Sequence, residues 1–98
     1  AGGITEITKA IYKSKDKIDY PKILGYAKQF GSQAVIKRLG FLLELLEIKH
    51  AVIDELQNLR TNSFVLLEPS YPKDGKTIFC WAIQQNLNTD SILSPIFS

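Results

Sequence analysis

The sequence predicts an α+β fold: a four-helix N-terminal part followed by an antiparallel β-hairpin packed on the helices. Two observations predict it. Apolar residues recur at helical spacing as far as Arg60, and beyond Asn62 they change to the continuous and alternating runs of strands. Ninety-eight residues also suffice for one modest core, but not for two.

The first helix, about residues 3–14, follows from Ile4, Ile7 and Ile11 at i, i+3 and i+7, with Glu6, Lys9 and Lys13 on the opposite side. Gly2 and Gly3 lead into it, and the polar stretch from Lys13 to Lys17 closes it. A second helix, about 20–30, is announced by Asp19 and Pro21: proline fixes φ in the first turn, and either Asp19 or Tyr20 is the cap. Ile23, Ala27 and Phe30 share its inner face, and Gly31 stops it.

Ser32 caps a third helix, about 32–47, in which Val35, Ile36, Leu39, Leu42, Leu43 and Leu46 span a broad apolar arc. The polar remainder is narrow, mainly Lys37, Glu44 and Glu47, so this is the expected central helix. Gly40 inside it costs about 1 kcal/mol relative to alanine unless another backbone packs closely there, which is the expectation. A shorter fourth helix, about 50–60, rests on Val52, Leu56 and Leu59.

The strands are expected at about 63–68, from the run Phe64 to Leu67, and at about 77–85, where small and aromatic residues alternate from Thr77 to Ile83. The turn-rich stretch from Pro69 to Lys76 joins them. A lone hairpin is marginal in water and leaves an open edge, a possible route to a homo-oligomer. Residues 1–88 are thus expected to form the domain. Residues 89–98, with Ile92, Leu93, Pro95, Ile96 and Phe97, are a C-terminal tail that either docks on that edge or stays mobile.

Composition excludes several classes. No apolar run approaches the roughly 20 residues that span a bilayer. The first residues lack the basic and apolar regions of a secretory signal, and a single Cys80 cannot form an internal disulfide, so a reducing, cytoplasmic setting is expected. Cys80 lies in an apolar run and reads as an inert core residue. The absence of methionine points to a piece cut from a longer protein. The net charge of +2 is unevenly placed: residues 1–40 hold seven lysines and Arg38 against Glu6, Asp16 and Asp19.

Catalytic chemistry finds few candidates. His50 and Cys80 are too far apart in sequence, with no third ligand nearby, for a metal centre, and the glycines fit neither a phosphate loop nor a dinucleotide fingerprint. No cofactor is expected, and the chain reads as a binder of a macromolecule rather than an enzyme. An enzymatic alternative would require Glu44, Glu47 and His50 in one deep pocket. Another alternative treats Ile23 to Leu39 as a helix-turn-helix, making a stand-alone winged-helix DNA-binding domain that reads bases through Ser32 to Gly40.

One family resemblance runs through the chain. The segment Ala1-Gly-Gly-Ile-Thr-Glu-Ile-Thr-Lys-Ala-Ile-Tyr12, the run Lys37-Arg-Leu-Gly-Phe-Leu-Leu-Glu44, the strand end Leu67-Glu-Pro-Ser70 and Trp81 before Asn86 resemble the C-terminal domain of AbiEi-like antitoxins, of the abortive-infection type of toxin–antitoxin system. Glu68 stands where the family leads one to expect Asp. The resemblance implies a transcriptional regulator that represses its own operon through operator DNA bound by an N-terminal winged helix, and a C-terminal domain that counteracts a nucleotidyltransferase-like toxin. It implies no catalytic site. Gly40, Leu39, Leu42, Leu43 and Trp81 read as architecture, while Lys9, Lys13, Lys37 and Arg38 are candidate contacts to a partner or nucleic acid. Arg38 either covers the core and pairs with a carboxylate such as Glu68, or faces a partner.

Overall fold

The computed structural model describes residues 3–97. Its elements are α1 (Ile4–Ser14), α2 (Tyr20–Phe30), α3 (Gln33–Leu45), α4 (Val52–Leu59), β1 (Val65–Leu66), β2 (Lys76–Ile78), β3 (Ile83–Gln85) and α5 (Thr89–Phe97). The α+β class is therefore as the change of apolar period predicts, with helices packed on a small sheet. A Cα radius of gyration of 12.8 Å is that of a single compact unit of this length.

The helix boundaries follow local chemistry. Asp19 is the cap of α2, its Oδ1 accepting the Lys22 N–H at 3.1 Å, and Ser32 Oγ accepts the Val35 N–H at 3.3 Å to open α3. Helix α3 ends two residues earlier than expected, because Glu47 takes a left-handed conformation with φ of 59°. Ile48 N–H then reaches the Leu43 carbonyl at 3.0 Å and Glu47 N–H the Glu44 carbonyl at 2.9 Å, a Schellman closure with glutamate in glycine's usual place. Helix α4 begins at Val52, where the exposed His50 accepts the Val52 N–H on Nδ1 at 3.0 Å.

Helix α1 is turned from its expected face. Ile4 is buried and Ile11 half-buried, but Ile7 is exposed and Thr8 takes the inner position instead. Thr8 is tolerated there because its hydroxyl donates to the Ile4 carbonyl at 2.7 Å, leaving only its methyl to the core.

The strands pair differently from the expected hairpin. Residues 77–85 do not form one strand: the chain reverses at Phe79–Ala82, with Ala82 at φ of 53°, and yields β2 and β3. These two pair antiparallel (Thr77 opposite Gln84), while β1 joins the other side of β3 in parallel (Val65 opposite Ile83), giving the order β1-β3-β2. The missing third strand is thus supplied from within the segment read as one. Beyond β1 the pairing continues through a side chain, since Asn86 Oδ1 accepts the Glu68 N–H at 2.9 Å and its Nδ2 donates to the Glu68 carbonyl at 2.8 Å.

The reversal exists to place Trp81. Its side chain is fully buried against Gly40, where a Cβ would lie 2.1 Å from Cζ3 of the indole. Gly40 therefore admits an aromatic ring rather than the second backbone that its position predicts. The indole N–H donates to the Glu44 carboxylate one helical turn further on. Leu42, Leu43, Leu56, Leu67, Ile83 and Ile92 complete the core around this pair.

The expected tail is part of the domain. Asn88 caps α5 by accepting the Ser91 N–H at 2.7 Å, Ile92 is fully buried, and α5 packs along α1 with Phe97 edge-on to Tyr12 at 5.1 Å. Residue 98 lies outside the described residues, as do Ala1 and Gly2. No helix among the described residues is long and apolar enough to cross a membrane.

Candidate protein-binding surface

The four basic residues expected to meet a partner separate into two kinds. Lys9 is half-buried and Lys13 exposed on α1, where both remain reachable. Lys37 and Arg38, by contrast, are turned to the protein itself. Lys37 is 0% exposed, and its ammonium donates to Thr61 Oγ1 at 3.0 Å and to the Ser63 carbonyl. The expectation of a partner contact at Lys37 is therefore corrected: the loop leading into β1 offers it oxygens that solvent would otherwise supply. Arg38 donates from Nε and one terminal nitrogen to the Leu66 carbonyl at 2.9 and 2.8 Å. Burial lowers its affinity for a proton, and the nearby Glu68 carboxylate works in the opposite direction. Together these neighbouring cations fasten strand β1 to the central helix.

Burial holds the Lys37 ammonium below the ordinary lysine value of 10.5, and the positive charge of Arg60 acts in the same direction. A lowered folded-state pKa means that the unfolded chain binds this proton more tightly. The contribution of Lys37 to stability is thus lowest below the folded-state value and rises with pH until the unfolded value is passed. Lys37→Met removes this dependence. Urea melts from neutral pH toward 10.5 should give a flatter stability curve for the variant than for the parent, and parallel curves would refute the assignment.

The groups required for catalysis are not gathered in a deep pocket. Glu44, Glu47 and His50 do border one hollow of about 370 Å³ with Asp54, but all four are exposed. Glu44 is committed to Trp81, and Glu47 lies beyond the end of α3. Among the described residues no three His, Cys, Asp or Glu side chains assemble to hold a metal. Cys80 is exposed, contrary to its expected place in the core, because the reversal at Phe79–Ala82 carries it outward. Desolvation, followed by the Glu44 charge, pushes its thiol up and keeps it protonated.

A larger hollow, about 610 Å³, lies between the start of α1 and the end of β1, bordered by Ile7, Arg38, Glu68 and Tyr71. Two of its charged groups, Glu68 and Arg38, are already engaged. Glu68 accepts the Ile4 N–H at 3.2 Å, taking the N-terminus of α1, while Arg38 holds Leu66. The hollow is a joint between elements.

A third concave surface is of another kind. Ile23, Tyr26 and Phe30 of α2 face Val35 and Leu39 of α3 across a groove of about 330 Å³. Phe30 is 71% exposed, Tyr26 56% and Val35 51%, and the two aromatic rings lie side by side with centroids 6.2 Å apart. Large apolar side chains gathered in this way on a surface mark a site of association. The exposed charges of α2 are Lys22 and Lys28, with Asp19 at its N-terminus. The surface that α3 presents between Ser32 and Gly40 is therefore apolar, since Ile36, Lys37 and Gly40 are buried and Val35 and Leu39 line the groove.

Comparison with known families, curated proteins and solved structures gives no match.

The groove residues were not distinguishable from core in the sequence. Ile23, Ala27 and Phe30 do share a face of α2, as their spacing requires, but only Ala27 of the three is buried. A usable signal was present in the width of the apolar arc on α3, which exceeds what its neighbours can cover. The free aromatic pair Tyr26 and Phe30, one turn apart, is the other.

Proposed function

We propose that this chain is the partner-binding domain of an antitoxin-type regulator, acting in the cytoplasm. In this reading the full-length protein counteracts a nucleotidyltransferase-like toxin and represses its own operon through operator DNA bound by a further, N-terminal domain. The observation that carries the reading is the apolar groove between α2 and α3, which leaves Tyr26, Phe30 and Val35 exposed together on one face. The resemblance of Lys37 to Glu44 and of Leu67 to Ser70 to the antitoxin family supports the same reading. Lys9 and Lys13, reachable on α1, would add secondary contacts.

The test is growth rescue. The full-length protein co-expressed with its cognate toxin should restore growth, and deletion of these 98 residues should abolish rescue while leaving operator binding intact. Rescue that survives the deletion would refute the reading.

A further inference from the structure

We propose that His50 is a proton-operated latch on the first turn of α4: neutral, it closes that turn, and protonated, it releases it.

The first amides of a helix need acceptors from outside it, and Ser, Thr, Asp or Asn usually supplies one. Ala51 holds the cap position of α4 and has no side-chain oxygen to offer. His50 takes the role instead, with Nδ1 accepting the Val52 N–H at 3.0 Å, while its own carbonyl accepts the Ile53 N–H at 3.1 Å. A ring nitrogen accepts a hydrogen bond only while it keeps its lone pair, so this bond requires the neutral imidazole with its proton on Nε2. Imidazolium donates from both nitrogens, and at Val52 an N–H would then face an N–H. A carboxylate or hydroxyl cap keeps its acceptor between pH 5 and 8. Imidazoles change charge there, and His50 is the chain's single histidine.

The surroundings give the imidazolium other partners. His50 is exposed and borders two hollows. Lys15, Asp16 and Tyr20 face it from the connection between α1 and α2 and the start of α2, Glu44 and Glu47 from the end of α3, Lys49 from its own loop, and Asp54 from α4. Asp16, Glu44, Glu47 and Asp54 thus outnumber Lys15 and Lys49. A positive charge is unfavourable at the N-terminus of a helix and favourable beside carboxylates, so protonation exchanges the Val52 amide for an acidic partner. Tyr20 is stacked on the ring with centroids 4.5 Å apart, and its hydroxyl donates to the Lys15 carbonyl at 2.9 Å, so the imidazole turns against a fixed platform. Release reaches the core directly: Val52 is 3% exposed and lies where α4 packs on α2 and α3.

The test follows individual amides of the 98-residue chain by NMR between pH 8 and pH 5. The Val52 amide resonance should move along the same curve as the ring protons of His50. Its protection from exchange with water, corrected for the intrinsic rate at each pH, should fall about tenfold, the equivalent of one ordinary hydrogen bond. His50→Asn retains a short side-chain acceptor two residues before Val52 and should protect that amide equally at both ends of the range. His50→Ala offers none and should leave it unprotected throughout. Both substitutions remove the stack on Tyr20, so the difference between them isolates the acceptor. The parent should therefore match His50→Asn at pH 8 and His50→Ala at pH 5. The α-amino group also titrates in this range, and any contribution from it would persist in both variants.

A Val52 amide that stays still while His50 titrates would overturn the proposal. So would the same pH-dependent loss of protection in His50→Asn, equal protection in the two variants, or a ring that keeps one charge state from pH 8 to pH 5.

Discussion

Replacing Gly40 by alanine should lower the stability of this domain by about 3 kcal/mol, the upper end of what overpacking a core costs. For a domain of this size that corresponds to a fall in melting temperature of roughly 12–24 °C. The cause is steric. A methyl group at Gly40 would stand 2.1–2.6 Å from three carbons of the Trp81 ring, and the ring is enclosed on its far side by the core, so it cannot swing away. Helix propensity works in the opposite direction by about 1 kcal/mol, which makes a large loss all the more diagnostic. Thermal melts followed by circular dichroism would measure it, and a variant as stable as the parent would show that the indole does not occupy this site.

Trp81→Ala should cost about 3–5 kcal/mol, the usual range for emptying a buried aromatic site, and should leave the domain close to its unfolding threshold at 37 °C. Two contributions are lost together: the packing of a fully buried ring, and the hydrogen bond from its N–H to Glu44. The two substitutions are coupled, and the coupling decides the interpretation. In the Trp81→Ala background the space beside residue 40 is empty, so Gly40→Ala should become neutral or stabilising there. A double-mutant cycle in which the Gly40 cost is unchanged would disprove the contact between them.

The parts of the fold that were legible in the sequence are those decided within a few residues. Asp19, Pro21, Gly31 and Ser32 set the boundaries of α2 and α3 because a cap and its amide lie three residues apart. Gly40 was legible too, as a backbone position that something must approach. The identity of that neighbour was not, since Trp81 is 41 residues further on by the chain numbering. It reaches Gly40 only because the apparent strand 77–85 reverses at Phe79–Ala82, a break that alternating small and aromatic residues conceal.

Lys37 shows the same limit in the candidate site. A lysine on a helix projection belongs to the solvent side, and only the loop oxygens of Thr61 and Ser63 reverse that assignment. Arg38 was readable as a residue bordering the core, with Glu68 nearby, but its acceptor is a backbone carbonyl, which no side-chain pattern can announce. The groove escaped for the converse reason. Periodicity identifies an apolar face and is silent about whether another element covers it, so Ile23, Phe30 and Val35 read like their buried neighbours.

The fastening of β1 by Lys37 and Arg38 also governs how copies of this chain can meet. A bare strand border templates further strands, and a sheet open on both borders can lengthen without end. Here the guanidinium already fills the outward carbonyl of Leu66, so an incoming backbone finds that acceptor occupied. Only the three-residue β2, which begins at Lys76, remains for pairing among the described residues. The same two cations that tie the sheet to the central helix therefore leave growth by strand addition a single border to use.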